Sequence, residues 1–221
     1  MKLLFIGNSA TSVNDIPKTL QVLAGELGYQ LTVSQITPGG CELSMHANTE
    51  TRLGRQVLNE ISKGYDIVFI QENGICMSSE EKRLESFEAS RRLTSAIRES
   101  GAEPYIYVRP PCLKSYHGYT TLEQCKRFDD IFNGIAEANG DVKCVYVNRA
   151  FAYAVKNFNF DLWGADNAHT SPLGAHLIVC TFFATLFKES ATRLSCGVLD
   201  PEKAKILAEI ADKVVREGIE P

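Results

Sequence analysis

Apolar and polar positions follow two alternating rhythms along this chain. Short apolar runs at Lys2 to Ile6, about Gln30 to Ile36, Asp66 to Gln71, about Pro104 to Val108 and Lys143 to Val147 predict five buried strands. Between them, apolar residues recur at helical spacing. Leu20, Leu23, Ala24 and Leu27 form the stripe of a first helix, with Asp15 as its expected cap, Pro17 in its first turn and Gly28 at its end. Leu53, Val57, Leu58 and Ile61 mark a second helix, which stops before Gly64, and a long polar helix is predicted from about Ser79 to Ser100. Leu122, Cys125, Phe128, Phe132 and Ile135 mark the next one. An irregular stretch is expected from the fifth strand to Ala168. An almost wholly apolar helix then runs from Pro172 to Phe187, and a last helix from about Pro201 to Arg216.

Strands alternating with helices in this way predict parallel βαβ units and a three-layer α/β/α, flavodoxin-like arrangement, a five-stranded parallel sheet covered on both faces. Such sheets bind ligands at the C-terminal ends of their strands. At 221 residues, with no repeat or Gly/Ser-rich linker, the chain reads as a single domain over residues 1–221. The apolar fraction of 44% and charged fraction of 23% are ordinary for a globular protein, and no apolar run approaches the roughly 20 residues of a membrane span. A net charge of -4 with dispersed Lys and Arg excludes a basic surface for nucleic acid. Seven cysteines are an odd number without a C-x-x-C pair, which argues against a disulfide framework or zinc ribbon and for a reducing compartment. The apolar start before Asn8 is too short for the core of a signal peptide, so the expectation is a cytoplasmic protein, or else a mature chain already freed of its leader.

Residue types required for acyl transfer fall at the predicted strand ends. Ser9 stands in Phe-Ile-Gly-Asn-Ser-Ala-Thr, where Gly7 permits a sharp turn that places the hydroxyl at the open edge of the sheet. Serine is a nucleophile only beside a base, and alone would read as a helix cap. The candidate base is His169, in Gly-Ala-Asp-Asn-Ala-His-Thr-Ser-Pro, with Asp166 three residues earlier, a spacing that lets the carboxylate reach Nδ1 and leave Nε2 free. Oxyanion donors are expected from the backbone of Ser9, from Gly39 or Gly40 after the second strand, and from the Asn73 amide after the third. His176 with His169 and Asp166 is too thin a ligand set for a metal, and core packing accounts for it. Cys41, lacking a basic neighbour or helix N-terminus, reads as a buried thiol. No G-x-G-x-x-G pattern or Walker lysine occurs, so neither metal nor organic cofactor is expected.

Taken in order, Gly-Asn-Ser after the first strand, glycine after the second, Asn after the third and Asp-x-x-His near the end resemble the SGNH, or GDSL, hydrolases over nearly the whole chain. The signature positions correspond to Ser9, Gly40, Asn73 and His169. Two departures stand out: Asn8 replaces the commoner Asp, and Gln71-Glu72-Asn73-Gly74 replaces Gly-x-Asn-Asp, which leaves Gln71 as an alternative amide donor. The resemblance implies a serine esterase acting on short acyl groups such as acetate, often carried on carbohydrate, with no cofactor. Substrate choice is expected from Arg109 to Tyr119 and Asn148 to Gly164, with Arg109, Tyr116 and Trp163 as candidate contacts and Tyr119, Phe158 and Phe160 nearby. Aromatic faces beside an arginine suit a sugar ring or an acidic sugar. His46 and His117 fall in loops expected at the pocket rim. The rival reading is a catalytically silent flavodoxin-like module for a small ligand or a partner protein. A monomer or a homodimer is expected.

Overall fold

A computed structural model describes residues 1–221. Its five strands, β1 (Lys2–Ile6), β2 (Thr32–Ile36), β3 (Ile67–Ile70), β4 (Glu103–Val108) and β5 (Lys143–Tyr146), form one sheet in the order β2-β1-β3-β4-β5. Every pairing is parallel. The order reverses beside β1, whose neighbours are β2 on one side and β3 on the other. This is the topological switch point, where a crevice opens at the C-terminal ends of the strands.

Nine helices cover the sheet: α1 (Ser9–Ser12), α2 (Ile16–Glu26), α3 (Leu43–Ala47), α4 (Arg52–Ile61), α5 (Glu80–Glu99), α6 (Thr121–Ala138), α7 (Val147–Asn157), α8 (Pro172–Phe187) and α9 (Pro201–Glu217). Alternation along the strands sorts them into two cores. Leu3, Phe5, Phe69, Tyr105 and Tyr107 face α2, α7, α8 and α9, whereas Leu4, Ile6, Val68, Ile70, Ile106 and Val108 face α3 to α6. Phe182 of α8 lies at the centre of the first core, with its ring edge-on to Phe69 at 5.1 Å and to Tyr107 at 4.9 Å. Helix α8 is buried on every side from Gly174 to Ala184, as its unbroken apolar sequence demands. No helix is long and apolar enough to cross a membrane.

Local signals explain the helix starts. The side chains of Ser79, Thr120, Ser171 and Asp200 each accept a backbone N–H from the first turn of α5, α6, α8 and α9, and Pro172 and Pro201 occupy the first position of the last two. Three expectations are corrected. Asp15 precedes α2 but makes no capping bond, because Asn14 and Asp15 both lie in the left-handed region, at φ 61° and 45°. The stretch after β5 is not irregular: α7 begins directly at Val147 and buries Val147, Ala150, Phe151 and Ala154. Strand β2 starts at Thr32, two residues later than expected, and β5 ends at Tyr146.

Candidate active site

The loop after β1 turns at Gly7, and Asn8 then caps α1: its Oδ1 accepts the Ala10 N–H at 3.0 Å, which makes Ser9 the first helical residue. An N–H at that position has no acceptor within its own helix. Gly7 is required by packing rather than by φ, since a Cβ there would lie 2.6 Å from Gln71 Oε1 and 3.0 Å from Thr11 Oγ1.

Across the crevice, the segment before α8 folds over itself. Gly164 N–H donates to the His169 carbonyl at 2.9 Å, and Ser171 N–H to the Leu162 carbonyl at 3.0 Å. Asp166 Oδ1 accepts the N–H groups of Ala168 and His169, both at 3.0 Å. Its Oδ2 lies 2.6 Å from His169 Nδ1, while His169 Nε2 lies 2.8 Å from Ser9 Oγ. With Nδ1–H given to the carboxylate, Nε2 accepts from the serine hydroxyl. The Ala168 N–H first, then the imidazole, hold the Asp166 carboxyl well below the usual carboxylate range. Both partners face water, the side chains of His169 and Asp166 being 38% and 50% exposed, so the site is shallow and the attraction between them is screened.

The two amide candidates differ in exposure. Gln71 is 1% exposed; its Oε1 accepts the Asn8 N–H at 3.1 Å and the Thr11 hydroxyl at 3.0 Å, and its Nε2 donates to the Glu72 carbonyl at 2.5 Å. One Nε2 hydrogen is left without an acceptor, but the side chain is hidden inside the fold. Asn73 is only half-buried: Oδ1 accepts the Ile75 N–H at 3.2 Å and Nδ2 donates to the Gly40 carbonyl at 3.0 Å, which leaves a second amide hydrogen free. Gly40 is exposed at φ 70°, a conformation that favours glycine, and its N–H has no acceptor in the protein. Asn8 Nδ2 donates to the Cys41 carbonyl at 2.9 Å. The loops after β1, β2 and β3 are thus tied to one another pairwise.

Other expected residues find different places. Arg109 and Tyr116 flank Gly74, where a Cβ would lie 3.3 Å from Arg109 Nη1 and 2.7 Å from Tyr116 Cε1, so both border the Asn73 loop. Trp163 is half-buried, its indole N–H donating to the Pro111 carbonyl at 2.8 Å and its ring packed edge-on against Phe151. Asn148 is no rim residue; it is buried in α7 and donates to Asp129 Oδ1 at 2.9 Å. Nor is His46, which is fully buried in α3 with Nε2 2.8 Å from the Gly7 carbonyl; burial lowers its pKa. His117 is exposed at φ 51°. His176 is buried in α8, and burial lowers its pKa too. Cys41 is buried, and burial, with the Glu72 charge second, pushes its thiol up to about 11. No group of three or more His, Cys, Asp or Glu side chains is arranged to hold a metal ion. Sequence reasoning passed over Gln71 as a support for the Ser9 turn, and over Glu72 altogether. The one available signal was Gln71 standing where the pattern has Gly; Glu72 falls at the unrestricted position and carried none.

A parallel α/β/α sandwich with Ser, His and Asp gathered at the switch point is the architecture of the SGNH hydrolases, and this chain has that fold. No protein-family model and no curated protein matches the sequence. Among solved structures, a candidate SGNH hydrolase from Slackia heliotrinireducens is 25% identical, with a TM-score of 0.67 over 82% of this chain and 96% of its own. A DUF4886 family protein from Bacteroides uniformis superposes with a TM-score of 0.85 over 99% of this chain and 95% of its own, at 17% identity. An acetylxylan esterase from Geobacillus stearothermophilus is 18% identical, with a TM-score of 0.61 over 82% of this chain and 92% of its own.

Proposed function

We propose that this protein is a serine esterase that hydrolyses short acyl esters, acetyl esters of carbohydrate foremost. The observation that carries the reading is the continuous line Asp166–His169–Ser9, with contacts of 2.6 and 2.8 Å between groups from opposite ends of the chain. Ser9 Oγ attacks the ester carbonyl while His169 Nε2 takes its proton; Asp166 fixes the tautomer and steadies the imidazolium. The negative charge that develops on the carbonyl oxygen meets the N–H groups of Ser9 and Gly40 and the free hydrogen of the Asn73 amide, each such donor being worth roughly 3–4 kcal/mol in the transition state. His169 then protonates the departing alcohol. Water, activated by the same imidazole, releases the acid from the acyl-enzyme.

The shallow, exposed position of the pair suits an acyl group projecting from a bulky alcohol such as an oligosaccharide, and a structural neighbour described as an acetylxylan esterase agrees with that class. Arg109 and Tyr116 beside the Asn73 loop are assigned to the alcohol side of the substrate. A fluorophosphonate probe is expected to label Ser9 in the native protein and to leave Ser9→Ala untouched, with acetylated xylo-oligosaccharides hydrolysed in parallel. A folded wild-type protein that takes no label and cleaves none of these esters would return the fold to the silent binding module.

A further inference from the structure

Glu72 is a buried acid that the hydrolytic scheme does not use. It is 1% exposed, and no lysine, arginine or histidine pairs with it; Lys82 on the neighbouring helix α5 is engaged by Glu42 and Glu85. Burying a carboxyl without a cation is costly, so its bonds carry the reason for its presence. A single oxygen, Oε1, accepts the Asn73 N–H at 2.5 Å and the Leu43 N–H at 3.0 Å. One acceptor therefore joins the loop after β3 to the N-terminus of α3, at the far end of the loop that contains Gly40. The Asn73 side chain closes the same circuit from the other side through the Gly40 carbonyl, at 3.0 Å.

We propose that Glu72 is a positioning residue: its carboxyl pins the Asn73 and Leu43 backbones together so that the Asn73 amide and the Gly40 N–H converge on one point above Ser9. This inference rests on the esterase reading. The two donors belong to different loops, and Gly40 is an exposed glycine whose own backbone does little to fix it. Donors misplaced by about 1 Å lose most of their value in a transition state, whereas substrate in the ground state barely senses them.

The test compares Glu72→Ala, Glu72→Asp and Glu72→Gln, each in the wild-type and the Asn73→Ala background, by steady-state hydrolysis of 4-nitrophenyl acetate, with circular dichroism to establish folding. Glu72→Asp keeps a carboxyl but withdraws the acceptor by one methylene; Glu72→Gln keeps an oxygen at full reach. Expected are a fall in kcat of about tenfold or more for Ala and Asp with KM within about threefold, and recovery of most of that loss in Gln. Asn73→Ala is expected to lose about 100-fold, and Glu72→Asp to cost less in that background than it does alone, because the Asn73 amide is then already gone and only the Gly40 N–H is left to misplace. If Glu72→Ala does not fold, the Asp and Gln pair carries the comparison. The proposal is overturned if folded Glu72→Asp keeps wild-type kcat, if Glu72→Gln is as impaired as Glu72→Asp, or if the losses multiply fully with Asn73→Ala. A wild-type enzyme without esterase activity would instead end the reading on which the proposal rests, and that result precedes every variant.

Discussion

Gly174, in the first turn of α8, is where the segment carrying the proposed base His169 is fastened to the core, and replacing it with alanine should separate fold from the proposed catalysis quantitatively. An added Cβ would lie 2.1 Å from the Leu162 carbonyl oxygen, 3.0 Å from Thr170 Cβ and 3.1 Å from the Leu162 carbonyl carbon, against 3.4 Å for an ordinary contact. The carbonyl must retreat by more than about 1 Å, and it already holds the Ser171 N–H at 3.0 Å, so residues 162–171 move with it. Overpacking of this kind costs about 1–3 kcal/mol, which for a domain of this size lowers Tm by roughly 3–10 °C. The larger effect is on chemistry: Asp166 and His169 ride on the displaced segment, and a shift of about 1 Å can remove some 100-fold from kcat. Gly25→Ala supplies the control, since its Cβ meets nothing within 4 Å in the last turn of α2; there about 0.4–1 kcal/mol of stabilisation and unchanged turnover are expected. Thermal unfolding and hydrolysis of 4-nitrophenyl acetate, measured on both variants, decide the matter. A Gly174→Ala protein with Tm within about 1 °C and kcat within about twofold of wild type would refute the argument.

Three further outcomes are expected. His46 and His176 have pKa values lowered by burial, so below the ordinary imidazole value of 6.5 the unfolded chain binds protons that the native protein refuses. Stability then falls as pH drops below that value, by up to about 1.4 kcal/mol per pH unit for each histidine until its folded pKa is reached; a urea midpoint that stays flat between about pH 7 and 5.5 would contradict this. Iodoacetamide at about pH 8 should modify half-exposed Cys196 first and spare Cys41, which is buried with its thiol pushed up to about 11, so early alkylation read by mass spectrometry should leave activity intact. Replacement of Gln71 by Leu strands the Asn8 N–H and the Thr11 hydroxyl, at about 1–3 kcal/mol for each orphaned group, and should lower both the unfolding midpoint and kcat; a change in neither would deny Gln71 its part in supporting the nucleophile.

Much of this architecture can be read from the sequence, and the exceptions have physical causes. Helices α5, α6, α8 and α9 announce themselves because Ser79, Thr120, Ser171 and Asp200 are good caps and two prolines mark the first turns. Helix α7 carries an equally good stripe, Val147, Ala150, Phe151 and Ala154, yet follows β5 without a turn residue, and Tyr146 offers no capping side chain; with no start signal the stripe passes for loop. The short helix α3 is too brief for periodicity to show, which is why His46 looked like a loop residue. Ser9, Asp166 and His169 can be picked out in the sequence because Gly-Asn-Ser at the end of β1 and Asp-x-x-His before α8 are short local patterns. Glu72 and Gln71 are not: burial of a polar side chain is decided by segments distant in sequence, and nothing within β3 or its loop says that Leu43, Asn8 and Thr11 will converge there.

The cross-ties among the loops after β1, β2 and β3 also bear on how this protein can change. Nearly all of them end on main-chain carbonyls and N–H groups, and of the side chains involved Asn8, Gln71 and Glu72 are hidden from solvent and Asn73 is half-buried. Residues further out, such as Tyr116 and His117, take no part in them. On the esterase reading, a drifting or engineered sequence can therefore rewrite the rim to change the alcohol accepted while the inner frame stays fixed, so selectivity and turnover would evolve along separate axes.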